Sequence, residues 1–217
     1  FDREPYTWRS GSSQLLRRKQ LMLGSVLFHV GVLIIFGGHF VGLLTPIEVF
    51  DAIGVSHGAK QVLAIIAGGI AGAMAIVGAL ILLHRRVFDP RIRATSSFGD
   101  TAILALLTAQ LVLGLSTIPL SSQHLDGSEM VKFMAWAQGI FTFQPGAAAH
   151  ISEVHWIFKA HLALGLTIFL VFPFTRLVHM LSAPIWYLNR RGWQLVRTRR
   201  GMADQKSRAR PSRGGRL

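Results

Sequence analysis

The chain has 217 residues, 51% hydrophobic and 15% charged, with a net charge of +13 from 23 Lys+Arg against 10 Asp+Glu. A soluble domain carries about a quarter charged residues, so a mean hydropathy of +0.43 beside this charge excess requires apolar and basic residues to be segregated, as in membrane proteins. The absence of cysteine excludes disulfides, thiolate-held iron–sulfur clusters, zinc knuckles and C-x-x-C-H haem attachment.

In chain order, residues 1–20 come first and hold five basic side chains, Arg3, Arg9, Arg17, Arg18 and Lys19. A window from about 21 to 44 follows, free of Lys, Arg, Asp and Glu and long enough to cross a bilayer core, which takes roughly 20 apolar residues. A second charge-free span is predicted over about 61–83, a third over about 101–120 and a fourth over about 156–181. The fourth contains Lys159 near its start and Arg176 near its end, where long side chains snorkel to the interface. In the link between the third and fourth spans, Ser128 to Ile140 is amphipathic and predicts a short helix on the membrane face, with Ser128 and Glu129 suited to its start. Gly68-x-x-x-Gly72 and Gly78 predict close helix approach. The fold class is therefore an all-α integral membrane protein, a bundle of four transmembrane helices plus a short interfacial helix.

Cytoplasmic loops collect Lys and Arg. The 84–93 link holds four arginines and the segment from Arg190 onward holds ten basic residues, whereas the other two links hold only Lys60 and Lys132. Both ends and the 84–93 link are thus expected inside, with the 45–60 and 121–155 links outside. The basic residues flank spans instead of forming one face, which argues against nucleic acid despite a pI near 11.6. Residues 1–200 read as the transmembrane domain. Residues 201–217 read as a basic, disordered cytoplasmic tail able to touch anionic lipid.

Polar residues at membrane depth are rare and usually functional. His29 and His39 lie in the first span, His161 and His179 in the fourth. A single membrane histidine often does no more than hydrogen-bond a neighbouring helix. Two on each of two antiparallel spans pair by depth, His39 with His161 and His29 with His179, and each pair can sandwich one haem iron. The 18 residues from His161 to His179 return to one helix face. Their rise of roughly 27 Å exceeds the roughly 15 Å from His29 to His39, a mismatch left to tilt, slanted ligation and bending at Pro173. Gly31, Gly37, Gly38 and Gly165 would make room for flat macrocycles. Solvated or interfacial roles suit His57, His84, His124, His150 and His155, of which His155 competes best with His161.

Leu27-Phe28-His29-Val30-Gly31 with Gly38-His39-Phe40, the link Gln123-His124-Leu125-Asp126-Gly127-Ser128-Glu129-Met130 followed by Trp136-Ala137-Gln138, and Phe172-Pro173-Phe174-x-Arg176-Leu177-Val178-His179 resemble the gamma subunit of respiratory nitrate reductase, over about residues 5–198. The resemblance implies a di-haem b-type cytochrome in a prokaryotic inner membrane, with two non-covalent bis-histidine haems. His39 and His161 would hold the distal haem, and His29 and His179 the proximal one. It also implies two partners on the cytoplasmic side, an iron–sulfur beta subunit and a molybdenum-containing alpha subunit that reduces nitrate. Quinol would be oxidised near the outer face, where Lys60, Gly38 and His39 match the family's quinol-site positions. Arg176 is expected to meet a haem propionate, a partner or lipid. The family has five spans, the first upstream of Phe1, and is expected to be missing that helix here. Alternatives are a cytochrome b anchor of a thiosulfate, heterodisulfide or sulfite-type reductase, and a transporter with a histidine proton relay.

Overall fold

The computed structural model describes residues 17–182. Its helices are α1 (Arg18–Leu44), α2 (Ile47–Ala52), α3 (His57–Phe88), α4 (Pro90–Thr95), α5 (Phe98–Ser121), α6 (Ser128–Phe141) and α7 (Trp156–Val171), with 3-10 turns at Ala147–Ile151, Phe172–Phe174 and Arg176–Ser182. There is no strand among the described residues. Four helical segments are long and apolar enough to cross a membrane: Arg18–Leu44, His57–Phe88, Phe98–Ser121 and Trp156–Phe174. Large apolar side chains such as Leu33, Ile66, Ile70, Phe169 and Leu170 face outward, the inverse of a soluble surface and the expected lipid-facing coat. The predicted basic tail lies outside the described residues.

Local sequence sets the helix starts. Ser56 Oγ accepts from the Ala59 amide at 3.2 Å and Ser97 Oγ from the Asp100 amide at 3.1 Å. Asp89 accepts from the Arg91 amide at 3.0 Å, and Pro90 opens α4 where a missing N–H costs nothing. At the start of α6, Gly127 has φ +82°, and a Cβ there would lie 2.6 Å from the His57 carbonyl oxygen. Only glycine suits that turn. The neighbouring Asp126 accepts from the Ser128 amide and hydroxyl, which holds its carboxyl below the usual range.

The spanning helices pack in sequence order, α1 on α3, α3 on α5 and α5 on α7. The α1–α3 seam is built from small residues. Gly24, Gly31, Ala71, Ala75 and Gly78 are buried there, and a Cβ on Gly31 would fall 2.5 Å from the Ala71 carbonyl oxygen. Gly31 therefore serves helix approach, where the sequence had suggested room for a macrocycle. Gly72 packs against Leu115 of α5, whereas Gly68 has nothing within 4 Å, so only part of the predicted glycine motif forms a contact.

The expected fourth span is not one helix. The α-helix stops at Val171, Pro173 withholds an amide, and Thr175 is extended (φ −122°, ψ 169°) before the chain re-enters a 3-10 turn. The α6 helix packs on α1 and α3. Its Gln138 amide donates to the Leu43 and Thr45 carbonyls at 3.1 and 3.2 Å, satisfying orphan acceptors at the end of α1.

Candidate functional site

α1 and α7 lie at the two ends of the packing order and share no extended interface, yet the two histidines of α1 face His161 of α7 and His179 of the 3-10 turn that follows it. The His29 and His179 ring centres are 6.1 Å apart, with planes at 72°. Those of His39 and His161 are 6.2 Å apart, with planes at 41°. The structure thus forms both pairs expected from depth. The length mismatch calculated for a straight helix does not apply, because the chain breaks at Pro173 and Thr175.

Hydrogen bonds fix the tautomers. His29 Nδ1 lies 2.7 Å from the Ser25 carbonyl oxygen and His39 Nδ1 lies 2.8 Å from that of Ile35. His179 Nδ1 donates to the Arg176 carbonyl. A carbonyl can only accept, so in these three Nδ1 carries the proton and a neutral ring keeps its lone pair on Nε2. This is how metal-ligating histidines are oriented. His161 differs: its Nδ1 is buried without a partner among the described residues.

Two imidazoles ligating one metal at about 2.0 Å per nitrogen place their ring centres about 6 Å apart, the spacing found here twice. Among the described residues no group of three or more His, Cys, Asp or Glu could hold a metal ion. A pair alone is a poor site for a free ion. It suits a metal whose remaining ligands come from a macrocycle.

Lys60, in the first turn of α3, is 6% exposed. Its Nζ lies 2.8 Å from Met134 Sδ of α6 and 3.8 Å from the Phe50 ring centre, and no carboxylate pairs with it among the described residues. An interfacial anchor would be solvated, and this lysine is not. The antiparallel seam sets Gly24 against Ile81 and Gly31 against Ala75, so Lys60 falls opposite the end of α1, nearly two helical turns beyond His39. Gly38 has nothing within 4 Å of a Cβ position, leaving open space beside His39.

At the opposite end, Arg176 Nε pairs with Asp100 Oδ1 at 2.7 Å and Arg17 Nε with Asp89 Oδ2 at 2.7 Å. Arg176 is thus bound to α5. His57 faces Asp51 at 3.2 Å, and His155 caps α7 by accepting from the Ile157 amide at 3.3 Å, so neither competes for a pair.

Sequence reasoning missed three contributors. Gln110 of α5 contacts His161, Gly114 makes way for the His161 ring, whose Cε1 would lie 3.0 Å from a Cβ there, and Asp100 anchors Arg176. Gln110 had a signal, being a carboxamide inside a charge-free span.

The family model described as nitrate reductase gamma subunit matches residues 1–199. The chain is 51% identical over 199 residues to respiratory nitrate reductase 1 gamma chain of Escherichia coli (strain K12), covering 92% of this chain and 88% of that one. It is 48% identical to respiratory nitrate reductase 2 gamma chain of the same organism, over 92% of this chain and 88% of that one. It is 38% identical to nitrate reductase gamma chain of Bacillus subtilis (strain 168), over 88% and 85%. By its sequence and its four apolar spans, this membrane protein belongs to the nitrate reductase gamma subunit family.

Proposed function

We propose that the chain is the quinol-oxidising, di-haem cytochrome b subunit of a nitrate reductase. The observation that carries this reading is the pair of histidine couples, 6.1 and 6.2 Å between ring centres, bridging α1 to α7 and to the 3-10 turn that follows it. His29 with His179 and His39 with His161 would each hold one b-type haem, and Gly38 leaves space beside the second. Held there, two haems would supply one-electron carriers at two depths of the low-dielectric layer.

The Lys60 end is the outer face on this reading, since the arginine-rich ends and the 84–93 link belong inside. Lys60 is buried without a carboxylate and holds an ammonium ready to donate to a quinol oxygen. A cation there favours the developing quinolate and so assists loss of the quinol's protons to the outer side. His39 lies toward the same end of α1, nearly two helical turns short of the level of Lys60. At the inner end, the Arg17–Asp89 and Arg176–Asp100 pairs fix the basic surface to which an iron–sulfur beta subunit, followed by a molybdenum-containing alpha subunit, would dock. Without cysteine, the chain cannot itself hold the next acceptor.

The decisive measurement is a reduced-minus-oxidised visible spectrum of the purified complex with haem quantified per gamma chain. Two non-covalent b-type haems per chain, reducible by quinol, are expected. A colourless, haem-free complex that still reduces nitrate from quinol would overturn the reading.

A further inference from the structure

Four histidines line the gap between α1 and the segment formed by α7 and the 3-10 turn after it, and three orient themselves on backbone carbonyls of their own helix or turn. His161 has no such acceptor for Nδ1, which is buried. A second buried polar atom without a partner among the described residues is Oε1 of Gln110. The two side chains already touch: Gln110 Nε2 donates to the His161 carbonyl at 3.1 Å and lies 3.4 Å from His161 Nε2. An orphaned N–H donor and an orphaned carbonyl acceptor at membrane depth each cost free energy that one mutual hydrogen bond removes.

We propose that Gln110 is the positioning residue for His161, its Oε1 accepting from Nδ1–H when Nε2 ligates iron. This rests on the haem reading above. Ligation through Nε2 requires the Nδ1–H tautomer, which needs an acceptor. A half-turn of the His161 ring with a flip of the Gln110 carboxamide would exchange the touching nitrogens for the orphaned pair. The room for them is built in: Gly165 lies beside Gln110, where a Cβ would come within 3.1 Å of Nε2, and Gly114 lies beside the His161 ring. The two haem sites then differ in kind. One has both rings held by backbone, whereas the other has one ring held by a neighbouring helix, so the α5–α7 contact tunes it alone.

The test uses the full reductase complex carrying Gln110→Leu or Gln110→Glu, with haem content, low-spin ferric electron paramagnetic resonance signals and haem midpoint potentials as readouts. In Gln110→Leu, the His39–His161 haem should be retained roughly 10- to 100-fold less tightly. Its ferric signal should shift and its potential rise, because an imidazole without an acceptor donates less electron density and stabilises ferric iron less. The His29–His179 haem should be unchanged. Gln110→Glu, which keeps an oxygen acceptor at the same reach, should restore the wild-type signal or lower the potential. Wild-type parameters for both haems in Gln110→Leu, equal loss of both haems, or a Gln110→Glu variant as perturbed as Gln110→Leu would each overturn the proposal. A haem-free wild-type complex would overturn the haem reading itself.

Discussion

A lysine ammonium buried against a thioether and an aromatic face is an unusual residue to retain without a counter-ion. Desolvating a charge is costly unless something compensates, and Phe50 supplies a cation–π contact of about 2 kcal/mol but no counter-charge. A polar ligand that approaches Lys60 would complete its hydrogen bonding, which fits the proposed quinol site. Replacing Lys60 by Met keeps the bulk and removes the charge and donor. A hydrogen bond to a charged group is worth about 1.5–3 kcal/mol, so stopped-flow reduction by quinol should slow roughly 10- to 100-fold with both haem signals intact. Loss of haem in that variant would instead make Lys60 a structural residue. Lys60 was legible in the sequence only through resemblance, because burial is a property of α3, α6 and the α2 loop together.

At the scale of elements, the α1–α3 seam depends on the absence of side chains. Gly31 meets the backbone of Ala71 and Ala75, whereas Gly68 faces open space. Overpacking a tight contact costs typically 1–3 kcal/mol, so Gly31→Ala should lower the unfolding midpoint in detergent, and Gly68→Ala should leave it unchanged. Equal midpoints would show that the seam tolerates a wider spacing. The sequence displayed the small residues on both helices. It did not reveal which of them meet backbone, since that depends on the crossing of the two helices. The break after α7 follows the same logic. Pro173 marked a bend, but not the extended conformation of Thr175 nor the 3-10 turn that carries His179, which the Arg176–Asp100 pair ties to α5.

For the whole molecule, the bundle closes a gap between its first and last spanning helices by side chains and not by helix packing. The Asp100–Arg176 pair holds the last turn, whose Arg176 carbonyl in turn orients His179. Asp100→Ala should therefore release that turn, and the purified complex should lose the His29–His179 haem while keeping the other. Spectroscopic haem counts falling from two toward one per chain would bear this out; retention of both would confine the ion pair to surface electrostatics. Arg176 thus acts through position, on the proposed reading, with its guanidinium committed to α5.

The sequence by itself determined the four spans, the short helix before the fourth, the depth of each histidine and the two couples that depth permits. Those features follow from hydropathy, charge and helical rise, all of which are local. Only the tertiary structure decided that the couples close to about the width of two imidazoles around a metal, that Lys60 is buried and that Gln110 and Asp100 stand behind His161 and Arg176. Each of these depends on how separate helices cross and break, and contacts between residues as far apart as Gln110 and His161 leave no periodic signal in the chain. The resemblance implied the same couples ahead of the geometry, but it could not supply the partners that orient their rings.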